Sequence, residues 1–215
     1  MPAVLEIASD IHCPWANVCV QRLRRTRDAL GLDLVLRHLY WPLELVNERG
    51  TPRDILNAEL PVLAQLEPDD FAAWRGADWP TTFLPAFELV KAAQEQGLRA
   101  AEDLDAALRY AFFREHRNLS LRTALLAVAA DVPGLDQDAL REAYDSGRTR
   151  RVVLQEYEEV TRRGIEGSPE VYLPGGQRVH NPGIEKRWLH GIPHVLSEDR
   201  GVYEHLLRAA VDAAG

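Results

Sequence analysis

The segment Ile11-His-Cys-Pro-Trp-Ala-Asn-Val-Cys19 holds the only two cysteines of a 215-residue chain. A thiol attacks as its thiolate, and a free cysteine titrates near ~8.5, so a nucleophilic cysteine needs surroundings that favour the anion. Cys13 stands directly before Pro14, a residue suited to the first turn of a helix because its missing N–H would be unpaired there anyway. A thiol that caps a helix meets unpaired N–H groups and the positive end of the helix dipole, which lower its pKa. His12 beside it offers further positive charge. On these grounds Cys13 is expected to be an accessible nucleophile, with Trp15 next to it.

A dithiol cycle needs a second thiol one helical turn further on, about 5–6 Å away on the same face. That position is Ala16. Cys19 cannot stand in for it: six helical residues advance about 9 Å and rotate about 240°, whereas a disulfide needs Cα atoms within about 7 Å. Between Val18 and Val20, Cys19 reads as a packing cysteine.

The elements around this segment follow from periodicity. "AVLEIASD" (3–10) reads as a short buried strand, 14–30 as a helix stopped by Gly31, and "LDLVLRHLYW" (32–41) as a second strand. That is a β-α-β unit with a right-handed crossover. Strand signals then vanish until about residue 146, replaced by successive amphipathic helices with Ser120 and Asp136 as N-caps. A helix over 148–164 follows, then two short strands in 170–182 around a Gly-Gly turn, and a closing helix from Ser197.

Hydrophobic residues make up 46% and charged residues 27% of the chain, the composition of a water-soluble globular protein. A net charge of −8 argues against nucleic acid or an anionic membrane as partner. No apolar run reaches the ~18 residues of a membrane span, and the N-terminus lacks the basic and apolar regions of a secretory signal. Two cysteines make no disulfide framework, so free thiols in a cytoplasmic setting are expected. His190 and His194 have metal-helix spacing, but Pro193 between them argues against a helix, and no metal site is expected. No G-x-S-x-G elbow or glycine-rich phosphate loop is present. His38, Trp74, Trp79, Phe83 and Phe87 read as structural and core residues.

The order of elements, with Cys13-Pro14 after the first strand and Gly167-Ser168-Pro169 before the third, resembles the DsbA-like branch of the thioredoxin fold. That branch spans DsbA family oxidoreductases and 2-hydroxychromene-2-carboxylate isomerase-like proteins. "LRYAFFREHRNLS" (108–120), the stretch 123–147 and "EVTRRGIEGSPEVYL" (159–173) extend the likeness over nearly the whole chain. The resemblance implies an α/β, thioredoxin-like fold interrupted by an all-helical insertion domain: a thioredoxin-like domain of residues 1–43 and 147–215, and an insertion of 44–146. It further implies that Pro169 is a cis proline facing Cys13. Pro14, Trp15, Ala16, Ser168 and Pro169 would then form the substrate-binding edge.

Ala16 departs from the family's C-P-W-C pattern and removes the thiol that expels substrate from a mixed disulfide. The implied function is a thiol-disulfide oxidoreductase acting through the single thiol of a C-P-W-A motif. Two alternatives stay open: a low-molecular-weight-thiol-dependent transferase or isomerase, and a redox-inactive binding module. No tightly bound cofactor is implied. Glutathione or another small thiol is the candidate cosubstrate, although the Ser-Asp pair by which related branches hold glutathione is replaced by Asn181-Pro182. The implied partner is a small-molecule thiol or disulfide, and a homodimer is among the open oligomeric states.

Overall fold

Strands β1 (Ala3–Ser9) and β2 (Leu34–Tyr40) flank helix α1 (Pro14–Leu30). They pair in parallel, from Ala3 opposite Leu34 to Ser9 opposite Tyr40. This computed structural model describes residues 2–50 and 52–215. Cys13 is the N-cap of α1 with extended backbone, Pro14 fills its first turn, and Gly31 ends it at φ 62. Only a residue free of the Cβ clash takes that left-handed conformation cheaply.

Helices α2 (Leu43–Val46), α3 (Arg53–Leu66), α4 (Leu84–Gln94), α5 (Leu98–Phe113), α6 (Arg122–Ala130) and α7 (Gln137–Asp145) follow without an intervening strand. Helix α8 (Arg148–Arg162) returns the chain to β3 (Glu170–Tyr172) and β4 (Arg178–His180), which complete a four-stranded sheet of order β2-β1-β3-β4. β3 runs antiparallel to β1 and to β4. A separate hairpin of β5 (Ile184–Leu189) and β6 (Ile192–Glu198) precedes the last helix, α9 (Gly201–Asp212). The mixed α/β architecture, a thioredoxin-like fold with a helical insertion, agrees with the sequence reading.

One face of the sheet is covered by α1 and α9, through Leu5, Ile7, Leu23, Leu36, Val171 and Leu206. A second apolar cluster, around Phe87, Leu104, Phe112 and Leu125, joins the helices after β2 to Ile11, Trp15, Val18 and Tyr40. Trp74 and Phe83 lie buried in that cluster, and Trp79 packs against it. Among the described residues no helix is long and apolar enough to cross a membrane.

Local details depart from expectation. Ser120 does not cap α6; its N–H and hydroxyl both donate to Asn118 Oδ1, and the helix begins only at Arg122. Asp136 does cap α7, accepting from the N–H groups of Asp138 and Ala139. The closing helix starts later than Ser197 because Glu185 pairs with Ser197 in the hairpin and Asp199 N–H donates to Gly183. Asp199 Oδ1 then accepts from Gly201 N–H at the start of α9.

A buried polar network ties the insertion to the sheet. Asp105 on α5 accepts from Arg109 Nε at 2.7 Å and from the Tyr40 hydroxyl at 2.9 Å. His38 on β2 lies 3.5 Å from the same carboxylate, yet neither of its ring nitrogens has a hydrogen-bond partner. Burial pulls the His38 pKa down to about 4, against the opposing pull of Asp105. The unfolded chain therefore binds a proton below pH ~6.5 that the folded protein refuses. Stability should be full above that pH and decline by about 3 kcal/mol between pH 6.5 and 4. Urea titrations of wild type and His38→Gln across that window check this; the wild-type loss should exceed the variant's.

Candidate functional site: the thiol cleft at the start of helix α1

The turn between β1 and α1 is built by Asp10. Its Oδ1 accepts from His12 N–H at 2.7 Å, and its Oδ2 accepts from Leu43 N–H at 2.6 Å. His12 Nδ1 lies 2.6 Å from Oδ1, and its ring stacks on Phe83 with centroids 4.3 Å apart. From α5, the buried Arg109 guanidinium donates to the carbonyls of Asp10 and Ile11 and to the Ser9 hydroxyl. Five successive residues, Ser9 to Cys13, are thus fixed before the helix begins.

The distant chain segment arrives at the same place. The Ser168–Pro169 peptide bond is cis. Ser168 O accepts from Cys13 Sγ at 3.3 Å, and Ser168 Oγ accepts from Asp10 N–H at 3.0 Å. Pro169 O accepts from Asn181 N–H at 2.9 Å. Residues more than 150 positions apart in sequence thereby surround one sulfur.

Cys13 opens on a cleft of about 310 Å³ whose walls include Pro14, Trp15, Asn47, Arg49, Glu59 and Trp188. Ala16, Ser168 and Pro169 lie outside its lining. A wider hollow of about 510 Å³ over the open end of the sheet, walled by Val4, Glu6, Arg37 and Tyr172, contains no thiol. Cys13 thus lies on the smaller cleft.

The expected accessible, acidified thiol is corrected. Cys13 is only 5% exposed, and burial pushes its pKa up to about 11. Hydrogen bonds from the Ser168 side chain and the Ala16 backbone favour the thiolate but do not offset the loss of water, and the carboxylates of Glu59 and Asp10 oppose it further. The helix end alone is too weak to ionise a thiol that has lost its hydration. Trp15 is likewise buried rather than presented to solvent: its Nε1 donates to Glu59 at 2.8 Å, and Lys186 Nζ sits 4.3 Å from its ring centroid. Ala16 is fully buried. Cys19 is a free, buried cysteine in the α1–α9 core, its pKa pushed up to about 12 by burial.

Glu59, Lys186 and Trp188 were not legible as site residues. Glu59 comes from a helix whose signal is submerged in the insertion, and the other two from a hairpin that turns through His190-Gly191, both at positive φ, where Gly191 is the one usual turn residue. His190 sits in that hairpin's turn at φ 52 and His194 on β6, so the two are not neighbours on a helix.

Residues 4–186 match the family described as DSBA-like thioredoxin domain. The chain belongs to that family. Three solved structures of similar fold frame this DSBA-like domain. A candidate protein disulfide isomerase from Nitrosomonas europaea is 15% identical with a TM-score of 0.70, each chain covered in full. The cytosolic disulfide reductase DsbM from Pseudomonas aeruginosa, solved with GSH, is 22% identical with a TM-score of 0.59, covering 98% of this chain and 96% of its own. A 2-hydroxychromene-2-carboxylate isomerase is 17% identical with a TM-score of 0.63, covering 82% of this chain and 87% of its own. At these identities the likeness is one of fold. Comparison with curated protein sequences returned no match.

Proposed function

We propose that this DSBA-like domain exchanges thiols and disulfides through Cys13 alone. The observation that carries the reading is the pairing of one cleft-lining thiol with a buried Ala16 where a resolving cysteine would stand. Cys13 gives its proton to solvent and attacks one sulfur of a small disulfide. A mixed disulfide forms, and the other half departs as a thiolate that takes up a proton. An external small thiol then attacks the bound half, releasing Cys13 and a new disulfide; no net oxidant is consumed beyond the substrate disulfide.

Segments 1–43 and 147–215 supply the thiol and the Ser168–Pro169 edge, and the insertion, 44–146, supplies Glu59 and the outer wall. A cleft near the lower size bound of small-molecule sites favours a low-molecular-weight disulfide over a folded protein substrate. Glutathione is the leading cosubstrate, the relative DsbM having been solved with GSH. The same observation supports the second reading, a glutathione-dependent transferase or isomerase, in which Cys13 positions the cosubstrate sulfur. A reducing, cytoplasmic setting suits both free thiols.

Incubation with oxidised glutathione should add one glutathionyl group to wild type and none to Cys13→Ser, as read by intact mass. Limiting iodoacetamide should label Cys13 before Cys19, at a rate that climbs with pH toward about 11. Preferential label on Cys19, or a folded wild type that forms no adduct, would sink the oxidoreductase. Saturable binding of reduced glutathione without exchange would instead favour the transferase or isomerase.

A further inference from the structure

Lys186 is one of only two lysines in the chain. It lies on β5 opposite Val195, just past an irregularity in the hairpin where Glu185 pairs with Ser197 and Leu196 is left over. Residues two apart on a strand share a face, so Lys186 points the same way as Trp188, a wall of the Cys13 cleft. Its ammonium rests over the Trp15 ring, and the far edge of that ring is pinned by Glu59. Among the described residues the Lys186 ammonium makes no hydrogen bond or ion pair, although the residue is partly buried. A partly buried ammonium whose donors meet an aromatic face can answer a negative charge that develops beside that ring.

We propose that Lys186 is a positioning residue for the thiol step: its ammonium, held over Trp15, balances the Cys13 thiolate, and Glu59 competes for it. This rests on Cys13 being the nucleophile. The charged and titratable groups facing Cys13 are Asp10 and His12 from the preceding turn, Glu59 from α3 and Lys186 from β5, with Arg49 on the rim. Arg109 is committed to Asp105 and to backbone carbonyls. Asp10 and Glu59 both oppose the thiolate, and His12 is tied to Asp10 through Nδ1, which leaves Lys186 as the inner counter-charge. Burial lowers the Lys186 pKa, while Cys13 and Glu59 act to raise it.

The test is the rate of Cys13 alkylation by iodoacetamide from pH 7 to 11 in wild type, Lys186→Met, Lys186→Arg and Glu59→Gln. Glutamine still accepts from Trp15, so the last variant changes charge while keeping a bond. Between pH 7 and 9, Lys186→Met should react about tenfold more slowly, a one-unit change in thiolate affinity for its proton. Glu59→Gln should react faster, and Lys186→Arg should stay near wild type. The gap between wild type and Lys186→Met should close as the pH rises through the Lys186 pKa, which burial sets below that of an ordinary lysine, and Lys186→Arg should then outpace wild type. A lysine that only packs on Trp15 would give profiles that superimpose or differ by a pH-independent factor, and either result overturns the proposal. If Lys186→Met does not fold, Lys186→Arg decides: a rate that outpaces wild type once the lysine has lost its charge supports the proposal, and superimposed profiles overturn it. A wild-type Cys13 that fails to react at any pH would remove the nucleophile assignment itself, and this inference with it.

Discussion

An Ala16→Cys variant should close a reversible disulfide with Cys13 and gain dithiol activity that the parent lacks. The two residues are one helical turn apart at the start of α1, within bonding range, as Cys13 and Cys19 are not. An internal thiol resolves a mixed disulfide at an effective concentration of ~mM or more without waiting for an external one. Insulin reduction with a thiol regenerant should therefore accelerate by about an order of magnitude over wild type. Position 16 is not the surface site its place in the first turn suggests, since Ala16 is fully buried within the core cluster. The added sulfur must displace neighbours, at about 1–3 kcal/mol, and the variant should melt lower when reduced and recover when oxidised. Oxidation should remove two hydrogens from the intact mass and lower the Ellman's thiol count of the denatured variant from three to one, Cys19 remaining. A folded variant that keeps all three thiols after oxidation, or that gains no activity once cross-linked, would mean the cleft is not arranged for disulfide substrates.

Replacing Arg109 by Met should cause the largest loss of stability of any single change near the site. Arg109 is fully buried and bonds at once to Asp105, to the Ser9 hydroxyl and to the carbonyls of Asp10 and Ile11. Asp105 is held below the usual carboxylate range by Arg109 despite its burial, and Tyr40 donates to it. Methionine fills much of the volume but leaves a buried carboxylate without its cation and takes one donor from each of the Asp10 and Ile11 carbonyls. Removing one partner of a buried pair costs about 3–5 kcal/mol, which for a chain of this size lowers the melting temperature on the order of 10 °C. The turn that delivers Cys13 loses its support in the same step, so alkylation of Cys13 should become faster and less dependent on the other cleft residues. Calorimetry on Arg109→Met and Arg109→Lys checks this, lysine recovering part of the loss. A melting temperature within a degree or two of wild type would show that Asp105 is neutral or hydrated in the fold.

The sequence by itself determined the elements that carry local signals. Pro14 and Gly31 bracket α1 because one lacks the N–H a helix start leaves unpaired and the other accepts a positive φ. The alternation in β1 and β2, the successive amphipathic helices and the solitary thiol at a helix start were all readable, and with them the fold class. Only the tertiary structure decided what the thiol experiences. Whether a helix end acidifies a cysteine depends on how much water remains around it, and that is set by α3, the cis Ser168–Pro169 edge and the β5–β6 hairpin closing over Cys13. Glu59 and Lys186 carry no mark of their own in the chain; they become site residues because packing brings one to the Nε1 edge and the other over the face of one indole, 127 positions apart in sequence. Periodicity reports which face of an element is buried, but the charges gathered in a cleft, and hence a buried thiol's proton affinity, arise from contacts between elements that no local pattern encodes.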